Sequence, residues 1–357
     1  MTQTLALFYA AYRELNARKL FWITLIISGL LVGAFAVVGI NEKGLTILWW
    51  EFQIPGFNST IIAPGTFYKL LFTGLGVGFW LSWLATILAL VSTASIVPDM
   101  VSGGSIDILL SKPIGRARLF LTRYATALLF VTIQVSVFTV ASFVVIGLRG
   151  DVWEPWVLIA IPLVVVFFSY LYCVCALVGV LTRSTIASLL ITILFWLLIF
   201  GVGSAEGVTL LGKTSSQMVL EYAQEDYEVA EEQGDPTMIE PAEVQLTEAK
   251  ANHDTWVTAH TWFYWAKIIL PKTDETIGLL ERVLRKYAGM DSFGAPDENE
   301  TRRVFGGGGS RVNMRELGDR LQEVIDARSI WWIVGTSLLF EFFVLSFTCW
   351  RFSRRDF

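Results

Sequence analysis

The sequence predicts an all-α polytopic membrane protein with six transmembrane helices, an N-terminal interfacial helix and a large, mostly helical extracytoplasmic insertion between helices 5 and 6. Composition is the first observation behind this prediction. Of the 357 residues, 54% are hydrophobic and 17% are charged, whereas a soluble domain carries about 25% charged residues. The second observation is distribution: the apolar residues form six long runs, and most charged residues lie between the runs.

The six apolar runs have the length of membrane-spanning helices, the fifth only marginally. A hydrocarbon core of about 30 Å requires about 20 helical residues. Helix is the expected structure because lipid offers no partner to backbone polar groups. The runs are residues 20–40, 70–97, 124–148, 156–181, 186–202 and 330–350. Together they contain one formally charged residue, Glu341.

Basic residues near the ends of the runs predict the orientation, since cytoplasmic loops carry the excess of Lys and Arg. One side has eleven: Arg13, Arg18, Lys19, Lys112, Arg116, Arg118, Arg123, Arg183, Arg351, Arg354 and Arg355. The short loops on the other side have three: Lys43, Lys69 and Arg149. We therefore expect a multi-pass protein of the plasma (inner) membrane with both termini in the cytoplasm.

This reading divides the chain into four parts. Residues 1–19 are predicted to form an interfacial helix, because Leu5, Phe8, Tyr9 and Tyr12 recur at helical spacing. The other parts are residues 20–202 with transmembrane helices 1–5 and a cytoplasmic segment at 98–123, residues 203–329 as an extracytoplasmic domain, and residues 330–357 with helix 6 and a basic cytoplasmic tail. The extracytoplasmic part is acidic, with a net charge of −10.

Signals of catalysis or of nucleic-acid binding are missing from the sequence. Residues 207–214 match the phosphate-loop pattern G-x-x-x-x-G-K-[ST], but they follow a membrane helix instead of a buried strand, so we expect a coincidental match. His253 and His260 have no third ligand at zinc-site spacing. No basic stripe on a soluble fold suggests a nucleic-acid partner. We expect no catalytic, cofactor-binding or metal-binding residue in this chain.

The most informative segment joins the second and third spans. Residues 98–123 read PDMVSGGSIDILLSKPIGRARLFLTR, with a pair of adjacent glycines, a hydrophobic run and then basic residues. One interpretation is a loop whose charges anchor the third span. The other is a short amphipathic surface helix that binds a cytoplasmic partner.

The run SGGSIDILLSKPIGRARLFLTRY resembles the cytoplasmic loop of ABC-2-type transporter permeases, the membrane subunits of type-2 ABC exporters. The Ser/Thr-rich turn at residues 181–185 and the basic ending RFSRRDF are also similar to this family. The resemblance covers about residues 1–205 and 330–357. The chain departs from it in the 127-residue insertion, which is much longer than in minimal members of the family.

The resemblance implies a permease subunit that binds a separate cytoplasmic ABC ATPase and pairs with a second permease chain, as a homodimer or heterodimer. ATP would be bound by the ATPase subunit, so this chain would need no cofactor. The residues implied in coupling are Asp99, Gly103, Gly104, Asp107, Leu110, Lys112, Pro113 and Arg116. Residues 203–329 would gate the exit or recruit an extracytoplasmic partner. The competing hypothesis is a membrane scaffold whose extracytoplasmic domain assembles a complex without transport.

Glu341 lies near the middle of the sixth span. A carboxylate there costs at least a few kcal/mol, so it should face the bundle interior and be paired or protonated. Two interpretations stay open. Glu341 is a pathway or gating residue, or it is a packing residue that is protonated or hydrogen-bonded, with Gln134 or a hydroxyl group as its partner.

Overall fold

A computed structural model describes residues 19–52, 59, 62–101, 115–289, 301–303 and 311–354. The predicted interfacial helix at 1–19 lies outside these residues except for Lys19. Residues 102–114, half of the segment 98–123, and the last three residues of the tail also lie outside them.

All six predicted spans are helices that are long and apolar enough to cross a membrane. They are Lys19–Val37, Pro64–Met100, Arg116–Arg149, Pro155–Thr182, Thr185–Gln233 and Trp331–Ser353, and we call them the first to sixth spans. The prediction of a helical polytopic membrane protein is therefore confirmed.

The fifth span is much longer than the predicted 186–202, since its helix continues without a break to Gln233. No proline interrupts the continuation. Its hydroxyl side chains bond within the helix: Thr209 Oγ1 donates to the Ala205 carbonyl and Thr214 Oγ1 to the Leu210 carbonyl. The phosphate-loop pattern at 207–214 lies inside this helix, so these residues do not form a loop around a phosphate.

The second span is a composite helix. Its segments are the α-helix Pro64–Leu71, the π-helix Phe72–Ala85, the α-helix Thr86–Thr93 and the short helix Ile96–Val101. In the π-helical part the Ser82 hydroxyl donates to the Val77 carbonyl at 2.7 Å, and the Thr86 hydroxyl donates to the Leu81 carbonyl at 2.8 Å. Both bonds reach five residues back, the spacing of a π-helix. The sixth span also begins with a short π-helix, Trp331–Gly335, before the α-helix Thr336–Ser353.

A three-stranded antiparallel sheet follows the first span, where the sequence predicted only helix and loop. Its strands are β1 (Val38–Asn41), β2 (Gly44–Ile47) and β3 (Trp50–Phe52). The prediction that the first span extends to residue 40 was therefore wrong. The Asn41 side chain turns the chain, because its Oδ1 accepts hydrogen bonds from the backbone N–H groups of Lys43 and Gly44 at 3.0 Å each.

Between the fifth and sixth spans, the described residues form three further helices and a pair of antiparallel strands. The helices are Pro236–Ile269, Thr273–Ala288 and Met314–Asp326, and the strands are Thr301–Arg303 and Arg311–Asn313. Side-chain caps fix two of the helix starts. Asp235 accepts from the Thr237 N–H at 2.9 Å, and Asn313 accepts from the Arg315 N–H at 3.0 Å.

The described chain forms two compact units. The first contains Met1–Leu197, Thr273–Asp291 and Ser337–Phe357, and the second contains Leu198–Lys272 and Ser292–Thr336. The helix Thr273–Ala288 thus groups with the spans, although it lies within the sequence range predicted as the extracytoplasmic domain.

The fourth span is the centre of the first unit. Of its most apolar window, 61% is buried, against 22% for the fifth and sixth spans. Its aromatic residues Phe167, Phe168, Tyr170 and Tyr172 are all fully or almost fully buried. The fifth and sixth spans therefore keep large apolar faces that the described part of the chain does not cover.

A close helix contact in the second unit depends on a glycine. A Cβ atom on Gly212, in the fifth span, would overlap the ring of Trp256 in the helix Pro236–Ile269. Gly207, one and a half turns earlier in the fifth span, has open space around its Cα atom. The two glycines of the phosphate-loop pattern therefore have different structural roles.

We predict that Gly212→Ala lowers the free energy of unfolding by about 1–3 kcal/mol, because the added methyl group forces Trp256 out of its place. The matched variant Gly207→Ala should be neutral or stabilising by up to about 1 kcal/mol, since alanine is the better helix former. Thermal or denaturant melting of the purified protein measures both. Equal destabilisation by the two substitutions would contradict the helix contact described here.

Candidate functional site

Six of the eight predicted coupling residues lie outside the described part of the chain. They are Gly103, Gly104, Asp107, Leu110, Lys112 and Pro113. The structure describes the other two, Asp99 and Arg116, which stand at either end of the gap.

The chain reaches the predicted coupling segment through the short helix Ile96–Val101, which we call the elbow helix. Its residues Ile96, Val97 and Met100 are buried, whereas Asp99 is exposed. Pro98 of the elbow helix packs on Gly179 of the fourth span, so closely that a Cβ atom on Gly179 would lie 3.1 Å from the Pro98 Cδ atom. The start of the predicted coupling segment thus packs against the most buried span.

Arg116 lies at the other end of the gap, at the first turn of the third span. Its Nη1 donates to the backbone carbonyl of Ser353, the last residue of the sixth span, at 3.2 Å. A cation at a helix C-terminus is electrostatically favourable. One turn further along the third span, the ring of Phe120 packs against Phe352 with centroids 6.0 Å apart, and both side chains are fully buried. Arg116 therefore connects the C-terminal end of the predicted coupling segment to the sixth span.

The carboxyl group of Glu341 is buried in the first unit, with 8% of the residue exposed. It accepts hydrogen bonds from two hydroxyl groups on two other spans. The Tyr124 hydroxyl, on the third span, lies 2.8 Å from Oε1, and the Ser169 hydroxyl, on the fourth span, lies 2.7 Å from Oε2. We call these three residues the carboxyl cluster.

The hydroxyl alternative for the partner of Glu341 is thus confirmed, and Gln134 was the wrong candidate. Gln134 lines a small cavity among the first four spans, and its buried Nε2 has no hydrogen-bond partner there. The third span places Gln134 almost three turns beyond Tyr124, which is why only one of them reaches the carboxyl group.

A chain of contacts runs from the carboxyl cluster to the elbow helix. The ring of Tyr124 stacks on Tyr172 of the fourth span with centroids 5.3 Å apart. The Tyr172 hydroxyl donates to the Thr93 carbonyl at 3.4 Å, and Thr93 is the last residue of the α-helical segment before the elbow helix. Every step of this chain lies within the first unit.

The chemistry open to Glu341 follows from its partners. No Lys, Arg or His among the described residues forms an ion pair with its carboxyl group. A hydroxyl group both donates and accepts, so Tyr124 and Ser169 can serve a carboxylate as donors and a carboxylic acid as acceptors. The cluster can therefore bind or release one proton inside the bundle without breaking an ion pair.

The second unit holds a different buried acid, which the sequence analysis missed. The Glu206 side chain is only 3% exposed. It is paired with Lys267 Nζ at 2.7 Å, with His260 Nε2 at 3.3 Å and with the Arg328 guanidinium. We call these four residues the ion cluster. It links the fifth span, the helix Pro236–Ile269 and the segment before the sixth span.

Aromatic rings extend the ion cluster. The His260 imidazole lies over Tyr264 with centroids 5.9 Å apart, and Tyr264 stacks on Trp332 at 5.7 Å. Burial lowers the pKa of the His260 imidazole below its ordinary 6.5, against the opposing effect of the Glu206 carboxylate. His260, Tyr264 and Lys267 recur at i, i+4 and i+7, and this helical stripe was the one signal in the sequence that could have revealed the cluster.

Metal chemistry has no visible basis in the part of the chain that the structure describes. Within the described ranges, no group of three or more His, Cys, Asp or Glu side chains is arranged to hold a metal ion. His253, the second histidine, is used otherwise, since its Nδ1 lies 3.2 Å from the Ser216 hydroxyl.

The chain matches no protein-family model, no curated protein and no solved structure.

For the carboxyl cluster, we predict that Tyr124→Phe lowers the free energy of unfolding by about 1–3 kcal/mol, because the Glu341 Oε1 atom loses its donor while buried. In a Glu341→Leu background the same substitution should cost at least about 1 kcal/mol less. Thr126→Val is the matched control on the third span, because the Thr126 hydroxyl bonds only within its own helix. Denaturant melting of the four-membered cycle in detergent measures the coupling, and an equal cost of Tyr124→Phe in both backgrounds would refute it.

For the ion cluster, we predict a loss of stability as the pH falls below about 6.5. The folded state holds His260 neutral, whereas the unfolded chain takes up the proton more readily, so the contribution of His260 is present above the unfolded pKa and is lost below it. His260→Gln should flatten this part of the pH dependence of Tm. His253→Gln, on the same helix, should leave the dependence in place, and a wild-type profile in the first variant would exclude His260 as the source.

Proposed function

We propose that this chain is the permease subunit of an ATP-binding cassette exporter. In this proposal its spans line the transmembrane pathway, and residues 98–123 bind a separate cytoplasmic ATPase subunit. The six apolar helices and the family-like run in the second-to-third connection support the proposal. Both termini then lie in the cytoplasm, and the second unit lies largely on the extracytoplasmic side.

The observation that carries the proposal is the way the elbow helix is held. The contact between Pro98 and Gly179 is between a rigid ring and a backbone, so there is no flexible side chain to absorb a displacement. A displacement of the coupling segment would be transmitted to the fourth span at this contact. At its other end, the bond from Arg116 to the Ser353 carbonyl would pass it to the sixth span.

The carboxyl cluster joins the two spans that these displacements would move. Glu341 belongs to the sixth span, Ser169 to the fourth and Tyr124 to the third, and the Tyr172 ring connects the cluster back to the elbow helix. A change in the position of the sixth span relative to the third and fourth spans has to break or rebuild the two hydroxyl–carboxyl bonds. In the proposed exporter, Glu341 is thus a gating residue that distinguishes two arrangements of the spans.

A second permease chain is part of the proposal. The fifth and sixth spans are the least buried, and Ile186, Leu190 and Leu194 form an exposed apolar stripe along the fifth span. In a dimer of permeases such a stripe would face the partner chain, and elsewhere it faces lipid.

We predict that the full-length tagged chain co-purifies with a subunit that carries a true phosphate loop and an ABC signature. Asp107→Arg and Asp99→Arg should each weaken the association tenfold or more, about 1.4 kcal/mol, because each reverses a charge in the proposed docking segment. The matched control is Glu42→Lys, a charge reversal at an exposed position of the β1–β2 turn, which should leave the association unchanged. Immunoblotting of the co-purified ATPase against a dilution series measures the ratio.

Three results would overturn the proposal. The first is ATP hydrolysis by this chain alone after purification. The second is labelling of a cysteine placed at Ser105 from the exterior of intact cells. The third is co-purification of a stable complex without any ATPase subunit, which would favour the membrane scaffold instead.

A further inference from the structure

The small sheet after the first span has two turns of opposite character. The β1–β2 turn at Asn41–Gly44 is polar: the Asn41 side chain caps it, and Lys43 pairs with Glu51 at 3.0 Å. The β2–β3 turn is apolar. Its two central residues, Leu48 and Trp49, are 60% and 79% exposed, and Trp50, which follows them, is 67% exposed.

The β2–β3 turn, which we call the Leu48 turn, has a backbone conformation and an apolar sequence that are unfavourable in water. Leu48 has φ 58°, the left-handed conformation that costs a non-glycine residue roughly 1–2 kcal/mol. Turns in water place Gly, Asn or Asp at such a position. A leucine at this position combines backbone strain with exposed apolar surface. Both raise the free energy of the turn in water, so an environment that favours the apolar side chains has to compensate.

A backbone hydrogen bond fixes the depth of the Leu48 turn. The Leu48 N–H donates to the carbonyl of Val37 at 3.2 Å, and Val37 is the last residue of the first span. The Tyr68 hydroxyl donates to the Val38 carbonyl at 2.7 Å, which places the start of the second span at the same level. The Leu48 turn therefore lies level with the end of a membrane-spanning helix.

The two turns stand at different heights because β1 and β2 separate them. Four residues of strand cover about 13 Å, so the Asn41 turn is that much farther from the end of the first span. The register of the strands confirms this order, since Val38 pairs with Ile47 at the end nearest the first span and Asn41 pairs with Gly44 at the far end.

We propose that the Leu48 turn inserts into the lipid leaflet at the Val37 end of the first span. The turn then lies at the boundary between acyl chains and headgroups, the location that tryptophan side chains prefer in membranes. Burial of Leu48, Trp49 and Trp50 in lipid removes their apolar surface from water, which lowers the free energy. The Asn41 turn remains in water. The sheet is thereby an anchor that holds the ends of the first two spans at a fixed depth. This inference does not depend on the proposed transport function.

The two turns supply a matched pair of reporter positions. Leu48→Cys and Lys43→Cys, each labelled with an environment-sensitive fluorophore in the full chain, are reconstituted into nanodiscs whose lipids carry a nitroxide at the top of the acyl chain. We expect the fluorophore at position 48 to be quenched several-fold more strongly than the one at position 43, and to be protected from aqueous iodide. The unmodified chain, with Cys173, Cys175 and Cys349, gives the labelling background to subtract.

Two outcomes would overturn the inference. Weak quenching by the nitroxide lipid at position 48, equal to that at position 43, together with access to iodide would place the Leu48 turn in water. Protection of position 48 from both the lipid nitroxide and iodide would mean that a protein, either a partner or a second copy of the chain, covers it. A second reporter at Trp49→Cys repeats the measurement without changing the strained residue, so a local distortion at Leu48 cannot produce either result.

Discussion

The interior of a bilayer gives polar groups no solvent partner, and this constraint shapes every span of the protein. The backbone satisfies it by forming helices. Many of the described Ser and Thr side chains within the spans satisfy it by donating to a carbonyl of their own helix, as Thr24, Thr93, Thr126, Thr192 and Thr348 do. Glu341 has no such local option, since a carboxyl group cannot bond its own turn in this way. Its partners have to come from other spans, and it therefore fixes three helices against one another.

The two buried acids, Glu341 and Glu206, both have polar partners inside the protein, but the partners of Glu341 are neutral and those of Glu206 include cations. Glu341 is held by hydroxyl groups, which remain usable partners whether or not the carboxyl group carries a proton. Glu206 is held by Lys267, Arg328 and His260, and removal of its charge would leave buried cations without their counter-ion, which is strongly destabilising. The first arrangement is suited to a change of state, whereas the second is suited to holding helices permanently together.

The sequence allowed the spans to be predicted because run length and charge content alone decide whether a helix can cross a bilayer. It did not reveal where the fifth helix ends, since the polar residues after position 202 are as compatible with a helix in water as with a loop. Strands of three or four residues, as in β1–β3, are too short for periodicity to identify. A hydroxyl partner for Glu341 was foreseeable, but the choice of Tyr124 and Ser169 depends on how three helices are rotated. The ion cluster joins residues from three distant segments, which no local pattern contains.

The π-helix of the second span, Phe72–Ala85, changes what this span can do mechanically. A π-helix fits more residues into each turn than an α-helix, so this stretch is shorter and wider than the same residues would be in α form. Conversion of even one turn would lengthen the span and rotate everything after it, which includes the elbow helix, while the end anchored at Tyr68 stays in place. The Ser82 and Thr86 side chains, each bonded five residues back, reinforce the wider winding of this stretch.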